Sequence, residues 1–185
     1  MEPQELIIAP GLRALPADVS QAEPLAALVR RNIEHLRRYL PAVAALSTVD
    51  VARSHLIDVA SQATRGELLE WYVFAEGVLC GGLRLNHFEP ENQKASVAYF
   101  LGEEHQGRGI ATAAARAAIT FGFETLGLHR VELRCVTSNH ASIRVAERLG
   151  FVREGELRDA ERLDGRFVNH YVYGLLRTEL CPGPC

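Results

Sequence analysis

No apolar run in this chain approaches the roughly 20 residues that span a bilayer, so no helical membrane span is expected. The opening MEPQELIIAP lacks the basic-then-apolar layout of a secretory leader, and the sequence predicts a cytoplasmic protein without a membrane partner. Neither sign of charge dominates. Twenty basic and 23 acidic residues are interspersed to a formal charge of -3, so bulk charge builds no surface for nucleic acid and no such partner is expected. Cysteine is scarce: Cys80 and Cys135 fall inside strand-like runs, while Cys181 and Cys185 sit in the tail CPGPC. Reduced thiols explain the first pair and a loose tail the second, ahead of a disulfide framework or a weak CxxxC metal site, and no metal is predicted. There is also no internal repeat and no low-complexity linker. What remains, 185 residues of 48% apolar composition, is enough for one core. One domain over residues 1–180 and a flexible tail at 181–185 are therefore predicted.

Periodicity organises that domain. A short strand is expected over residues 6–15, followed by a helix capped by Ser20 with Glu23 as its capping-box partner and ending at Pro41. A second helix is expected over residues 49–64, with Val51, Leu56, Val59 and Ala60 at helical spacing. Two β-rich runs then flank Glu76-Gly77, and KASVAYFLG supplies a third, which reads as antiparallel strands. Ile110, Ala114, Ala117, Ala118 and Phe121 mark one face of a helix closed by Gly127. The run HRVELRCVT alternates as a strand does, a short helix follows over residues 139–149, and strands over about 151–158 and 167–177 flank the turn LDGR. The order βααβββαβαββ describes a mixed α/β (α+β) fold with a mostly antiparallel sheet of about seven strands flanked by helices.

The junction HQGRGIAT carries the chemistry. Unpaired N–H groups at a helix N-terminus carry partial positive charge, and a glycine turn lets an anion approach them, so phosphate is the natural guest. A P-loop needs GxxxxGK[ST], and no lysine follows these glycines. A dinucleotide loop needs GxGxxG near the first strand of a βαβ unit, whereas Gly107-x-Gly109-x-Ala111 follows antiparallel strands deep in the chain. Taken alone, a glycine pair merely shapes a turn.

The spacing that fits is Q-x-x-G-x-A, Gln106 to Gly109 to Ala111, with the strand VAYFLG before it and Asn139 to Gly150-Phe151 after it. On these residues the chain resembles the GCN5-related N-acetyltransferase (GNAT) superfamily. More narrowly, the C-terminal half from HQGRG to LLRTE looks like the RimJ/RimL-type ribosomal-protein N-terminal acetyltransferases, while the N-terminal half agrees only in layout. The resemblance implies a GNAT fold and acetyl-CoA as co-substrate. It also implies a pyrophosphate seat made by the backbone of Gln106, Gly107, Arg108, Gly109, Ile110 and Ala111, with the Thr112 hydroxyl beside it. Arg108 either pairs with a phosphate or is simply solvated.

The same resemblance distributes roles over the rest of the site. Glu161, in LRDAE, takes the position of the proposed general base, against the alternative of an ordinary exposed loop carboxylate. Phe100 and Leu101 take the place where a bulge frees a backbone N–H for the oxyanion. The tyrosine that many members use as general acid would fall at Ala146 and is missing. Ser142, three residues after Asn139, is the substitute seen in RimL-like members; otherwise it is a first-turn helix serine beneath the Asn139 cap. Asn139 can cap that helix and also reach the pantetheine arm. The segment RNIEHLRRYLP would lie over the acceptor groove. Asp159 and Glu104 are lesser acids, and His105 and His140 offer imidazoles of intrinsic pKa about 6.5. Trp71, Tyr72, Phe74 and Tyr99, in alternating strands, read as core.

The reaction this implies is direct acetyl transfer to an α-amino group, a protein N-terminus first. An α-amino group of pKa about 7.7–8 needs only a modest base, whereas a lysine side chain near 10.4 needs more. Transfer to a polyamine, amino acid or drug is the enzymatic rival, a non-catalytic acyl-CoA-binding module the rival of another class, and a nucleotide-binding regulator the third. A monomer or a homodimer is expected.

Overall fold

The computed structural model describes residues 3–180; the predicted tail at 181–185, with Cys181 and Cys185, lies outside them. The first expected strand is in fact a hairpin. β1 (Leu6–Ala9) and β2 (Leu12–Pro16) pair antiparallel about the turn at Pro10-Gly11. Asp18, not Ser20, then caps the chain: its carboxylate accepts from Ser20 N–H at 2.9 Å, and the Gln21 side chain accepts from Asp18 N–H at 2.9 Å. A carboxylate two residues earlier outcompetes a hydroxyl for those amides, so the predicted Ser20–Glu23 box does not form.

The single helix expected up to Pro41 is broken into three: α1 (Ala22–Arg31), α2 (Ile33–Arg37) and α3 (Pro41–Ala44). The break is Asn32, 5% exposed. Its Nδ2 donates to Leu28 O at 3.0 Å and its Oδ1 accepts from Glu103 N–H at 2.8 Å, tying α1 to a loop far along the chain. Pro41 opens α3 instead of closing its predecessor, because a residue without N–H suits a first helical turn. α4 (Val49–Thr64) has the expected bounds, with Thr48 as its cap. Its buried face is Ala52, Leu56 and Val59, while Val51 and Ala60 face solvent.

From there β3 (Leu68–Ala75), β4 (Val78–Glu89) and β5 (Lys94–Leu101) form the antiparallel meander. α5 (Ile110–Glu124) crosses over to β6 (Arg130–Val136), then α6 (His140–Arg148) leads to the hairpin of β7 (Val152–Leu163) and β8 (Arg166–Leu176). Among the described residues the sheet has eight strands, not seven, in the order β1-β2-β3-β4-β5-β6-β8-β7, and only β5 and β6 run parallel.

Two apolar layers close on it. α1 and α4 cover one face through Leu25, Leu28 and Leu56 against Tyr72 and Leu79. α5 and α6 cover the other through Ile119, Phe123, Val145 and Ala146 against Trp71, Leu83, Leu85 and Leu133. Each fully buried leucine or phenylalanine contributes about 2 kcal/mol, which holds the helices to the sheet. One carboxylate is buried on the α4 face. Glu70, 3% exposed, has Tyr72 donating to Oε1 at 2.6 Å and His55 Nε2 at 2.9 Å. Arg84 Nη2 lies 2.6 Å from Oε2, an ion pair whose angle leaves that oxygen without a hydrogen bond. Burial alone would raise the Glu70 pKa, but the His55 contact and the Arg84 charge outweigh it and hold it below the usual range.

The opening that makes a site is in the middle of the sheet. β5 and β6 pair over three residues only, Lys94, Ala95 and Ser96 with Arg130, Val131 and Glu132. Beyond Ser96, β5 stays with β4 and β6 with β8, so the two part.

Candidate active site

The parted strands, the loop into α5, the first turn of α6 and the segment around α2 enclose a cavity of about 640 Å³. On one side, Gly107 and Gly109 have φ of +73° and +75°, and a Cβ built on either would meet nothing within 4 Å. Positive φ is what glycine allows and an L side chain resists, and here it turns the loop amides outward. Gly109 caps α5 with no side chain, so the first amides of that 15-residue helix stay unpaired and face the cavity. Gln106, Gly107, Gly109, Ile110, Ala111 and Thr112 line it; Arg108 is exposed and does not. The seat fits a pyrophosphate. The Gln106 amide also meets His35 Nε2 at 2.9 Å, joining the loop to α2.

β5 supplies the next wall. Gly102 N–H donates to Cys80 O at 2.9 Å on β4. Because alternate residues of a strand face the same neighbour, Phe100 turns its N–H to β4 as well, and Leu101 turns its own into the gap. The bulge expected there does not exist: β5 holds register with β4 from Ser96 to Leu101, and parting from β6 frees the amide instead. Of the two residues, only Leu101 presents a donor to the cavity.

At the base, Asn139 caps α6 by accepting from Ser142 N–H at 3.2 Å. Ser142 Oγ lies 2.9 Å from the hydroxyl of Tyr99, which therefore lines the site and is not simply core. Burial pushes the Tyr99 phenol well up, although the Ser142 contact opposes this, so the phenol stays protonated. Burial also pushes the Cys135 thiol up, and the nearby Ser142 opposes this. Ala146 is fully buried beneath them, and its methyl packs into the core.

The facing wall carries the ionisable groups. Glu161 is in a strand, not a loop, paired with Val168. Between the pairs Leu157–His170 and Glu161–Val168, β7 uses two more residues than β8, and this bulge, with Asp159 at φ +48°, re-aims the strand. Glu161 Oε2 then lies 3.0 Å from His170 Nε2, and both side chains line the cavity. His170 belongs to no sequence motif; only the register about the turn LDGR could have placed it beside Glu161. Asp159 and Glu104 do not line the cavity: Asp159 N–H donates to Asn169 Oδ1 at 3.0 Å, and Glu104 pairs with Arg31 at 3.8 Å. His105 and His140 do line it. Over the top, Tyr39 donates to Ser138 O at 3.1 Å and Arg37 lies 3.8 Å from Asp164. Among the described residues no group of three or more His, Cys, Asp or Glu is placed to hold a metal ion, and no helix is long and apolar enough to cross a membrane.

An anion seat, a free strand amide, a hydroxyl pair and a carboxylate beside an imidazole thus share one cavity, a set suited to acyl transfer from a phosphate-bearing thioester. Comparison with known proteins agrees. Residues 11–152 match the family model described as acetyltransferase (GNAT) domain. The chain is 35% identical over 159 residues to the protein named "Putative ribosomal N-acetyltransferase YdaF" of Bacillus subtilis (strain 168), covering 85% of this chain and 87% of that one. It is 36% identical over 109 residues to the ribosomal-protein-serine acetyltransferase of Escherichia coli (strain K12), covering 59% and 61%. Among solved structures it resembles RimL, a ribosomal L7/L12 alpha-N-protein acetyltransferase in complex with coenzyme A, with a TM-score of 0.89 and 27% identity over 93% of this chain and 97% of that one.

Proposed function

The chain belongs to the GNAT acetyltransferase family and is an acetyl-CoA-dependent N-acetyltransferase, and from that premise we propose that its acceptor is the α-amino group of a protein N-terminus, in the cytoplasm. The observation that carries this is the charge of the cavity. Among the described residues its only carboxylates are Glu103 and Glu161, the second already engaged by His170, while Arg38, Arg134, Arg144 and Arg148 also line it. A polyamine brings further ammonium groups that need acidic partners, and beside Glu161 this cavity offers only Glu103; a single α-amine on a peptide needs only one base. The names of the B. subtilis and E. coli relatives and of RimL favour a ribosomal-protein N-terminus in particular.

In this reading the loop amides from Gln106 to Ala111 hold the pyrophosphate, Thr112 supports it, and Asn139 reaches the pantetheine arm. Glu161, held by His170, takes the proton of the α-amine directly or through water. The amine attacks the thioester carbonyl, and the Leu101 N–H holds the oxygen as it gains charge. The C–S bond then breaks, and Ser142 donates a hydrogen bond to the departing sulfur, which suffices for a thiol of pKa about 8.5. No covalent enzyme intermediate is needed. Among the described residues Cys135 is the one cysteine lining the cavity, and burial keeps its thiol protonated and weakly nucleophilic.

The test is acetyl transfer from acetyl-CoA to peptides of varied first residue, to spermidine and to free amino acids, followed by release of free CoA. Faster turnover on one or more peptides than on any small amine is expected. Release on spermidine or an amino acid alone would reassign the acceptor.

A further inference from the structure

The position where many family members carry a tyrosine holds Ala146, yet a tyrosine hydroxyl reaches the same region from another element. Tyr99 projects from the part of β5 that has lost its β6 neighbour, and its oxygen lies 2.9 Å from Ser142 Oγ across a separation of 43 residues. We propose that Tyr99 is a positioning residue for the departing thiolate: it fixes the rotamer and donor direction of the Ser142 hydroxyl. The proposal rests on the reading of Ser142 given above.

A serine hydroxyl has one proton and two acceptor sites, and it rotates among three staggered wells. A phenol is a better donor than an aliphatic alcohol, so across the 2.9 Å contact, whose geometry serves either direction, Tyr99 donates and Ser142 accepts. The alternative acceptor, the Ser142 carbonyl oxygen, is farther away at 3.5 Å. With one acceptor site of Oγ taken, the serine proton must point elsewhere. Its local choices are the carbonyls of the preceding turn, the Cys135 sulfur, a weak acceptor while protonated, and the cavity. An anionic sulfur arriving in the cavity is the stronger acceptor and draws that proton toward itself.

The balance of the step is simple. The amine gives its proton to the Glu161–His170 pair, the N–C bond forms, and the C–S bond breaks with its electron pair on sulfur. The thiolate leaves hydrogen-bonded to Ser142, and both hydroxyl protons remain on the oxygens that held them. Tyr99 therefore changes how well one hydrogen bond is aimed and donates no proton to the product.

The experiment is a double-mutant cycle of Tyr99→Phe and Ser142→Ala in the full chain, with kcat and acetyl-CoA KM measured beside thermal melting. Each single variant is expected to lower kcat by about tenfold, the scale of one hydrogen bond aimed at the leaving group, with KM changed less than about twofold. The double variant should be no slower than Ser142→Ala alone. Ser142→Thr, which keeps a hydroxyl, should keep most of the activity while Tyr99 is present and lose it when combined with Tyr99→Phe. An acetyl thioester of a more acidic thiol should turn over almost equally in all of them, because its sulfur needs no donor. Losses that multiply in the double variant would overturn the proposal and make Tyr99 a packing residue while leaving Ser142 in its role. Full kcat in Ser142→Ala would overturn both.

Discussion

Between Tyr99 and Ser142 the chain builds one wall of the cavity: the strand end, the glycine loop with the first turn of α5, the end of β6 and the first turn of α6 follow one another in sequence. The facing wall is gathered from residues 35–40 near the start and from Glu161 and His170 near the end. The first wall works mainly through backbone amides fixed by φ angles and a helix end, and most of its side chains can change without moving those amides. The second works through side chains whose positions depend on a bulge, a hairpin register, two contacts across the opening and an ion pair between α2 and the hairpin. The donor wall should therefore be sensitive to backbone conformation, and the acceptor wall to the identity of single side chains.

The largest expected effect is on the acceptor wall. Glu161→Gln keeps the shape and removes the base, so kcat/KM for a peptide acceptor should fall by about 10²–10³ while acetyl-CoA binding by calorimetry stays unchanged. His170→Asn should fall less, about tenfold, since it removes the partner and leaves the carboxylate. A matching loss of acetyl-CoA affinity in either variant would break the division between walls.

The framework beneath both walls can be tested separately. Glu70 is buried against Tyr72, His55 and Arg84, and Glu70→Ala leaves those groups without their acceptor, a loss of about 3 kcal/mol in chemical denaturation. Because its folded pKa is lowered, the carboxylate's contribution is fully present above the unfolded value of about 4.3 and is lost as pH falls through the folded one. Wild-type stability should therefore drop more steeply below about pH 4.3 than that of the variant, measured as unfolding midpoint against pH. Parallel curves would remove Glu70 from the acid sensitivity of the fold.

On the donor wall the sensitive property is φ. Gly109→Val asks a β-branched residue to adopt +75° at the cap of α5, a strain of about 1–2 kcal/mol that should twist the amides away from the phosphates. An acetyl-CoA KM raised by about tenfold, with peptide KM little changed, is the expected result. Arg108→Ala, whose side chain does not line the cavity, should change it by less than about threefold.

The same contrast explains what could be read in the chain beforehand. The spacing of Gln106, Gly109 and Ala111 is a local geometry, and α4 runs over the expected residues 49–64, although of the four spaced residues only Leu56 and Val59 are buried. Asn32 could not be read as a helix break, because its deciding partner is the Glu103 amide, 71 residues away. Tyr99 reads as core in the sequence because alternation reports only which face a strand residue points to. The face toward α6 is packed at Val97 and Leu101 and opens into the cavity between them. His170 reaches Glu161 only through the register of the β7–β8 hairpin, in which Glu161 pairs with Val168 and His170 lies two residues farther along β8. Backbone sites built within one stretch of chain are legible; side-chain pairs built by register and long-range contact need the fold.

The smallest effect expected is at the rim. Arg37 and Asp164 join α2 to the tip of the β7–β8 hairpin at 3.8 Å, with both side chains more than half exposed. Water and salt screen such a pair, so it is worth well under about 1 kcal/mol. Arg37→Ala should raise the KM for a peptide acceptor by less than about threefold in low salt and by nothing measurable at about 1 M, where the Debye length shrinks to about 3 Å. Acetyl-CoA KM should not move at either ionic strength. Tyr39→Phe is the sharper comparison, because its hydrogen bond to Ser138 O reaches the loop leading into the Asn139 cap and so touches both walls. It should shift both KM values modestly and without salt dependence. If Arg37→Ala instead changed acetyl-CoA KM, the segment over the opening would belong to the donor wall, and the acceptor would have to enter from elsewhere.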